Sequence, residues 1–238
     1  MNQGKAWEKE YKNPKLMTGD DKPQKDFINF IKYLKKEEKY KVEDRNVLDL
    51  GSGTGRNSNY LAEMGNKVIG IEISSTALQT AINRAKMANI EVDYRLGDIG
   101  APYDIADDSI DIILDITSSN SLNEKGREIY LKEIHRVLKG GLDSSKQGEG
   151  GYIFVRALCK DGNINVKNLL KASPGGEYDT YYMKDLDLVE RVFSKKDIID
   201  MYSKYFKILK LEKKTGYAKV AGRIYKRDYW LMYLQKII

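Results

Sequence analysis

Apolar and polar residues alternate along this chain in blocks with two different periods. Short apolar runs, typical of buried strands, alternate with longer stretches in which apolar residues recur roughly every three to four positions, typical of helices with one buried face. The predicted strands cover residues 47–50, 68–73, 90–96, 110–116 and 152–155. Predicted helices begin near 23, 56 and 75, and a further helix, marked by apolar residues from Tyr130 to Leu138, ends at Gly140 and Gly141. This alternation predicts a parallel sheet with helices on both faces, and ligands bind at the carboxyl edge of such a sheet.

The pattern loosens before and after this alternating region. Residues 1–21 are polar with isolated apolar positions and predict an irregular arm that leads into the first helix. Residues 157–193 mix Gly, Asn and Pro with three tyrosines, which predicts an inserted segment over the sheet edge. A helix capped by Ser194 and Asp197 follows it. Two final strands, at 206–211 and 229–234, would be joined by a basic stretch over 212–228, with the last strand antiparallel.

These patterns predict one α/β domain over residues 1–238. We divide it into an N-terminal helical arm at 1–40, a ligand-binding core at 46–158, the insertion at 157–193, and a C-terminal helix with two strands at 194–238. Residues 142–150 are the clearest flexible loop.

Composition narrows the class of protein. The 238 residues are 41% hydrophobic, enough for a substantial core. Cys159 is the single cysteine, so no intramolecular disulfide can form. No apolar run reaches the roughly 18–20 residues of a membrane helix, so we expect no membrane association and a cytoplasmic location. The net charge of +6 comes from interspersed charges of both signs. It favours solvated helix faces over a polyanion site, although a basic nucleic-acid surface stays open.

A glycine-rich turn follows the first predicted strand. Residues 47–65 read VLDLGSGTGRNSNYLAEMG, with glycines at 51, 53 and 55 and an acid at Asp49. Glycine permits positive φ and lets a ligand approach the backbone. A dinucleotide motif would need Gly where Arg56 stands, and a P-loop would need a following Gly-Lys-Ser/Thr. With these two motifs excluded, the segment from Asp49 to Gly55 follows the pattern D-x-G-x-G-x-G.

Two further acids stand at the ends of the next two predicted strands. Glu72, followed by Ile73, closes the second strand, where a carboxylate can accept hydrogen bonds from both ribose hydroxyls. Asp98 and Ile99 end the third strand, where they can meet an adenine ring. The alternatives are a solvated strand end for Glu72 and a turn-forming role for Asp98.

Together these segments resemble class I methyltransferases that use S-adenosylmethionine (SAM), over roughly residues 46–158. VLDLGSGTG, VIGIEIS and LGDI are similar to the three cofactor motifs of that family. DSIDIILDITSS and EIHRVLKGG are similar to its fourth strand and the following helix. The subsegment GTGRNSNYLAEMG further resembles the tellurite-resistance and thiopurine-type branch, which acts on small molecules.

The resemblance implies a Rossmann-like fold and SAM as cofactor, with S-adenosylhomocysteine as product. It implies that Asp49 and the backbone of Gly51, Ser52, Gly53 and Gly55 hold the methionine part. Glu72 with Ile73 would hold the ribose, and Asp98 with Ile99 the adenine. An N-terminal W-x-x-x-Y element folds over the cofactor in related enzymes, and Trp7 and Tyr11 have that spacing. Alternatively, these aromatic residues pin the arm to the core.

Acceptor-side candidates follow the fourth strand. Asp115 could orient an amine or act as a base, or it could cap the following turn. Further candidates are Thr117 and Ser118 beside it, and Tyr178, Tyr181 and Tyr182 as an aromatic wall, with ordinary packing as the alternative for the tyrosines. His135 is expected at a helix end, and no metal-ligand cluster is expected.

Three functions remain open. The first is methyl transfer to N, O or S of a small molecule, the second is methylation of RNA or protein, and the third is SAM binding without transfer. The chain carries no appended recognition domain or Asn-Pro-Pro-Tyr-type signature, which favours a small-molecule acceptor over a nucleic acid.

Overall fold

The computed structural model describes residues 3–15, 20–140, 150–220 and 222–236. Within these ranges the helices are α1 (Gln3–Lys12), α2 (Lys25–Lys36), α3 (Arg56–Glu63), α4 (Ser75–Ala88), α5 (Glu124–Val137), α6 (Ile164–Ala172) and α7 (Lys195–Tyr202). The strands are β1 (Asn46–Leu50), β2 (Lys67–Glu72), β3 (Asp93–Leu96), β4 (Ile112–Ile116), β5 (Tyr152–Leu158), β6 (Thr180–Met183), β7 (Leu188–Arg191), β8 (Phe206–Val220) and β9 (Arg223–Lys236).

A seven-stranded sheet runs through the described part of the chain in the order β3-β2-β1-β4-β5-β9-β8. Strands β1 to β5 are parallel, whereas β9 is antiparallel to both β5 and β8. The predicted mostly parallel sheet with an antiparallel final strand is therefore confirmed. Strand order reverses between β1 and β4, and the carboxyl ends of these strands are where an open α/β sheet binds ligands.

Each face of the sheet carries a hydrophobic layer, because successive side chains of a strand point to opposite faces. On one face, Leu48 and Ile113 pack with residues of α5 and α7, including Ile134 and Ile198. On the other face, apolar residues of β1 and β4 pack against α2 and α3; this layer includes Val47, Ile112, Leu114, Phe27, Phe30 and Leu61. Helices on both faces, as the alternation predicts, leave the strand ends accessible.

The irregular arm expected over residues 1–21 is wrong for Gln3–Lys12, which form α1. Ala6 is buried against Leu186 and Leu188, and Trp7 packs beside them. These partners belong to a hairpin almost two hundred residues away in sequence. The apolar face of α1 is too narrow to be recognised in the sequence. The helix is stabilised by packing against this distant hairpin.

The predicted inserted segment forms α6 and a separate two-stranded hairpin of β6 and β7. In this hairpin Tyr181 pairs with Glu190. The hairpin lies beside the 3₁₀ turn Ser119–Ser121, which follows β4, and beside α1. The insertion thus lies over the carboxyl edge of the sheet.

The basic stretch over 212–228, expected as a connection, instead continues β8 and β9 as a long antiparallel ribbon. Tyr217 and Ile224 are exposed in this ribbon, so no apolar alternation marks it as strand. Backbone pairing alone extends it. Of the loop expected over 142–150, residues 142–149 lie outside the described residues. In the part of the chain that is described, no helix has the length and apolar character to cross a membrane.

Candidate active site

A cavity of about 1040 Å³ opens at the carboxyl edge of the sheet. It is bounded by the glycine turn after β1, by the ends of β2 to β4, by α1 and by the insertion. Of the predicted cofactor residues, its lining includes Tyr11, Asp49, Gly51, Ser52, Gly53, Glu72, Ile73, Asp98 and Ile99. The structure thus gathers residues from four strand ends and one helix around one space of a size typical of ligand sites.

The glycine turn has no room for side chains on the side of the cavity. Gly51 and Gly53 have φ of +71° and +57°. A Cβ on Gly51 would lie 2.1 Å from Ser118 Oγ, and a Cβ on Gly53 would lie 2.8 Å from Tyr11 Oη. The turn is held to β2, since the amides of Gly51 and Ser52 donate to Ile71 O at 2.8 and 3.0 Å. These positions need glycine for conformation and for space.

Gly55 does not line the cavity. A Cβ there would lie 2.2 Å from Tyr94 Oη and 2.9 Å from the Cβ of Ala81. Gly55 has φ +83° at the N-cap of α3. The third glycine therefore permits close packing of α3 against α4 behind the turn.

Asp49 is a fully buried acid on the floor of the cavity. Its Oδ2 accepts a hydrogen bond of 2.6 Å from Ser58 Oγ. Burial raises the pKa of Asp49 to about 6, and the charges of Glu72 and Asp115 act in the same direction. A cationic group bound here would relieve the repulsion among these acids.

Glu72 joins the glycine turn to the start of α4. Its Oε2 accepts from the amide of Gly53 at 2.9 Å, and its Oε1 accepts from the amide of Ser74 at 2.9 Å. Burial raises the pKa of Glu72, although these backbone donors oppose the shift. Each carboxylate oxygen can accept a second hydrogen bond. Glu72 can therefore bind two donors of a ligand while it holds the turn.

Asp98 and Ile99 follow β3 and line the cavity beside the end of β2. Asp98 is exposed and its Oδ1 accepts from the amide of Gly100 at 2.8 Å, while Ile99 is buried. An apolar side chain next to a carboxylate suits a flat ring with an exocyclic amine. This arrangement, with the glycine turn and Glu72, fits the donor and acceptor groups of SAM.

Helix α1 covers the glycine turn from the opposite side. Tyr11 lies over Gly53. The ring centroids of Trp7 and Tyr11 are 6.2 Å apart. Glu8 anchors the helix, since its carboxylate accepts from Ser74 Oγ at 2.7 Å and from Thr76 Oγ1 at 2.7 Å. Sequence reasoning missed Glu8, whose partners at the start of α4 are distant in sequence.

Thr117 and Ser118 line the cavity beyond the turn, as predicted. Thr117 has φ +65°, which is rare for a β-branched residue and occurs mostly at functional or strained sites. Asp115 is fully buried and is not among the lining residues. Its carboxylate accepts from the amide of Ser118 at 2.9 Å and from Tyr130 Oη at 2.9 Å. This geometry matches the alternative expectation, a cap of the following turn.

The three tyrosines of the insertion are not brought to the cavity. Tyr181 is buried on the far side of β6 and donates to Glu190 at 2.6 Å. Tyr182 donates to Asp187 at 2.9 Å, and Tyr178 is 64% exposed. The insertion instead contributes Gly175, Glu177 and Val189 to the lining. No sequence signal could identify these, because hairpin register decides which side chains face the cavity.

Comparison with known proteins identifies the class. Residues 47–141 match the family model described as Methyltransferase domain. An uncharacterized methyltransferase of Schizosaccharomyces pombe is 30% identical over 115 residues, which are 48% of this chain and 72% of that protein. The chain therefore belongs to the class I, SAM-dependent methyltransferase family. Assignment to the tellurite-type branch stays a prediction.

Two further similarities concern methyltransferases with named activities. The ubiquinone biosynthesis O-methyltransferase of Pelagibacter ubique is 26% identical over 133 residues, 56% of this chain and 48% of that protein. The structure of the 1,6-didemethyltoxoflavin N1-methyltransferase of Burkholderia thailandensis, with bound acceptor and S-adenosylhomocysteine, aligns with a TM-score of 0.69. That alignment covers 99% of this chain and 88% of that chain at 15% identity, and shows a shared fold.

Proposed function

We propose that this protein transfers the methyl group of SAM to a nucleophilic N, O or S atom of a small molecule. The observation that carries this proposal is the construction of the cavity. Its walls come from the carboxyl edge of the sheet, from α1 and from the insertion, all within one chain. Such an enclosure suits an acceptor that fits inside a cavity better than one presented on a large surface.

The cofactor would be held by the residues around the glycine turn. Asp49 and the turn backbone at Gly51, Ser52, Gly53 and Gly55 would hold the methionine part, with Gly55 acting through packing. Glu72 beside Ile73 would accept from the ribose hydroxyls, and Asp98 with Ile99 would bind the adenine. Tyr11 would cover the cofactor from α1. Burial of Asp49 and Glu72 supports this assignment, because buried acids need a partner.

The acceptor would lie beyond Thr117 and Ser118. SAM supplies a methyl carbon already activated by its sulfonium, so the protein must chiefly orient the acceptor and exclude water. Thr117 and Ser118 would contact the acceptor, and Asp115 would position them by binding the amide of Ser118. A base is required only for an acceptor that must lose a proton. Tyr178, Tyr181 and Tyr182 would support the insertion rather than contact the acceptor.

Small-molecule transfer is also supported by the names of two similar proteins, a ubiquinone biosynthesis O-methyltransferase and a 1,6-didemethyltoxoflavin N1-methyltransferase. Three of the six basic residues in the stretch that suggested RNA lie beside acids. Lys214 pairs with Asp26, Arg227 pairs with Glu190, and Lys213 lies 3.6 Å from Asp228. Cations already paired contribute little to phosphate binding.

Calorimetric titration with SAM and S-adenosylhomocysteine tests the cofactor site. The wild type should bind both, and Glu72→Ala should weaken binding by about 1–3 kcal/mol, since two hydroxyls lose their acceptor. Glu91→Ala is the control and should bind normally, because Glu91 is exposed and precedes the amino end of β3, away from the cavity. Methyl transfer is tested by measuring the S-adenosylhomocysteine formed from SAM in the presence of a panel of small amines, phenols and thiols. A wild type that does not bind SAM would overturn the proposal.

A further inference from the structure

Two arginines lie close together next to the acceptor end of the cavity. Arg127 is in the first turns of α5, and Arg191 ends β7. Both guanidinium groups approach Phe193, with the Cζ of Arg127 at 5.7 Å and the Cζ of Arg191 at 5.2 Å from the ring centroid. Neither arginine forms an ion pair with any residue in the described ranges of the chain. Two positively charged guanidinium groups thus pack against the same aromatic ring.

Arg127 has donors without acceptors although it is buried. Its side chain belongs to a residue only 4% exposed. One guanidinium nitrogen donates to the carbonyl of Leu122, but Nε and Nη1 have no partner among the described residues. Nε of Arg191 is also buried and without a partner. A buried charge is costly unless it is paired and hydrogen-bonded, so an acidic ligand bound here would stabilise this arrangement.

The electrostatics of Arg127 agree with this geometry. Burial and the charge of Arg191 lower the pKa of Arg127 to about 10. Glu177 and Glu124 attract Arg127 from a distance, but neither forms an ion pair with it in the described part of the chain. Neighbouring acids therefore offset the positive charge of the pair only in part.

The arginine pair adjoins the cavity through both of its elements. Val189 lines the cavity, and side chains two positions apart on a strand point to the same face. Arg191 therefore points to the same side as Val189, one step further along β7. Gly126 of α5 lines the cavity immediately before Arg127, and so does Leu122, which precedes α5 and whose carbonyl Arg127 binds. Arg127 and Arg191 are not themselves among the lining residues, so the pair lies directly behind the wall that Gly126 and Val189 form.

We propose that Arg127 and Arg191 form a binding site for an oxyanion, a carboxylate or a phosphate group. Guanidinium groups bind these anions through paired parallel hydrogen bonds, and Arg127 has adjacent Nε and Nη1 donors for such a pair. The position of the site, which rests on the proposed function, makes the methyl acceptor the first source of the anion. A free phosphate is the other source of the same chemistry.

Thermal unfolding of the full chain tests the site without turnover. Inorganic phosphate at millimolar concentration should raise the Tm of the wild type saturably, by at least about 2 °C relative to chloride at the same ionic strength. Arg127→Met should lose this shift. In chloride alone it should be as stable as the wild type or more stable, because it removes an unpaired buried charge. A purely structural arginine would give the opposite result.

Two variants complete this experiment. Arg191→Met, at a half-buried position, should also lose the phosphate shift and keeps the test informative if Arg127→Met does not fold. Arg95→Met is the matched control, since Arg95 is already bound to Asp93 at 2.6 Å and lies at the far side of the sheet. It should retain the full shift. Absence of a saturable shift in the wild type, or an equal shift in Arg127→Met, would overturn the proposal.

A second measurement distinguishes the source of the anion. Formation of S-adenosylhomocysteine is compared for 4-aminobenzoate and aniline, which differ by one carboxylate. Preference for 4-aminobenzoate that is lost in Arg127→Met assigns the anion to the acceptor. A phosphate shift without such a preference assigns the site to a free anion. All variants should bind SAM calorimetrically as the wild type does. If the wild type does not bind SAM, the proposed function is rejected. The anion site is then judged separately, by the phosphate measurement alone.

Discussion

Individual residues around the glycine turn combine burial with unusual conformation. Asp49 and Glu72 are acids with little exposure, and Gly51, Gly53 and Thr117 have positive φ. The buried acids cost stability through desolvation of charge, and Thr117 does so through backbone strain, whereas glycine adopts positive φ without strain. Their concentration in one cavity is typical of a functional site, where stability is sacrificed for binding.

The raised pKa of Asp49 predicts that SAM binding depends on pH. Asp49 becomes protonated as the pH falls through about 6, and it then loses its attraction for a cationic group of SAM. The Kd for SAM should therefore rise below this pH, by at most roughly tenfold per pH unit. Calorimetric titrations between about pH 5 and 7.5 measure the effect. Asp49→Asn should bind more weakly at neutral pH and show a shallower dependence; an unchanged profile contradicts the role of Asp49.

The same pKa has the opposite consequence for stability without ligand. The folded chain keeps the proton of Asp49 at pH values where the unfolded chain, with its ordinary pKa of 3.8, has released it. The free energy of unfolding contributed by Asp49 should therefore decrease as the pH rises from about 4 to about 6. In Asp49→Asn, denaturant titrations should not show this component.

Alanine variants of two glycines with similar backbone conformations distinguish the effect of backbone strain from the effect on ligand contact. Gly53 and Gly65 have φ of +57° and +84°, but a Cβ on Gly65 would have no heavy atom within 4 Å. Alanine at either position should cost about 1–2 kcal/mol of stability. Only Gly53→Ala should also weaken SAM binding, by about tenfold or more, because its Cβ occupies the approach to the turn. Equal SAM affinity of both variants would contradict the predicted contact between backbone and cofactor.

At the scale of elements, the site depends on how α1 is attached. Three hydrogen bonds to Glu8, from Ser74 Oγ, from Thr76 Oγ1 and from the amide of Thr76, place the helix over the cavity. The carboxylate also lies at the amino end of α4, where the helix dipole favours negative charge. Helix α1 is further held by a hydrogen bond of 3.2 Å from Gln3 Nε2 to Val189 O and by a small apolar contact with the β6–β7 hairpin.

Removal of this anchor should loosen α1 without unfolding the sheet. In Glu8→Ala, amide hydrogen exchange should become faster in Gln3–Lys12, and SAM should dissociate several times faster. Stopped-flow fluorescence can follow dissociation, because Trp7 lines the cavity whereas Trp230 is buried in the core. Glu8→Gln keeps one of the two acceptor oxygens and should show a smaller effect. Exchange that increases equally in β1 and β4 would indicate global destabilisation instead.

At the scale of the whole molecule, binding is confined to one edge of the sheet, and the β8–β9 ribbon lies elsewhere. Exposed Tyr217 and Ile224 belong to this ribbon, and none of the ribbon residues that the structure describes lines the cavity. Lys214 and Arg227 tie the ribbon to α2 and to β7 through Asp26 and Glu190. The folded core should therefore tolerate loss of the outer ribbon as long as these ion pairs remain.

Replacement of residues 217–226 by Asn-Gly tests this independence. Gly216 and Arg227 are directly paired, so a two-residue turn can join them. The shortened chain should keep its Tm within a few degrees and its SAM affinity within about twofold, with small-molecule turnover unchanged. Loss of turnover with retained SAM binding would instead favour a macromolecular acceptor that binds the basic ribbon.

The short-range pattern was sufficient for the elements that carry the cofactor motifs. Strands β1, β2 and β4 are apolar runs, and the glycine turn and the acids at their ends lie next to them in sequence. Because parallel strands bring their carboxyl ends to one edge, Asp49, Glu72 and Asp98 could be placed together without coordinates.

Only tertiary structure decided the features that depend on partners distant in sequence. Helix α1 is stabilised by a hairpin and by α4, the outer ribbon by backbone pairing, and the lining of the acceptor end by the register of β7. The same reason applies to Asp115, whose role as a cap depends on Tyr130, and to Arg127, whose missing acceptors are evident only in the packed interior. Periodicity reports local burial, whereas these contacts result from the packing of complete elements.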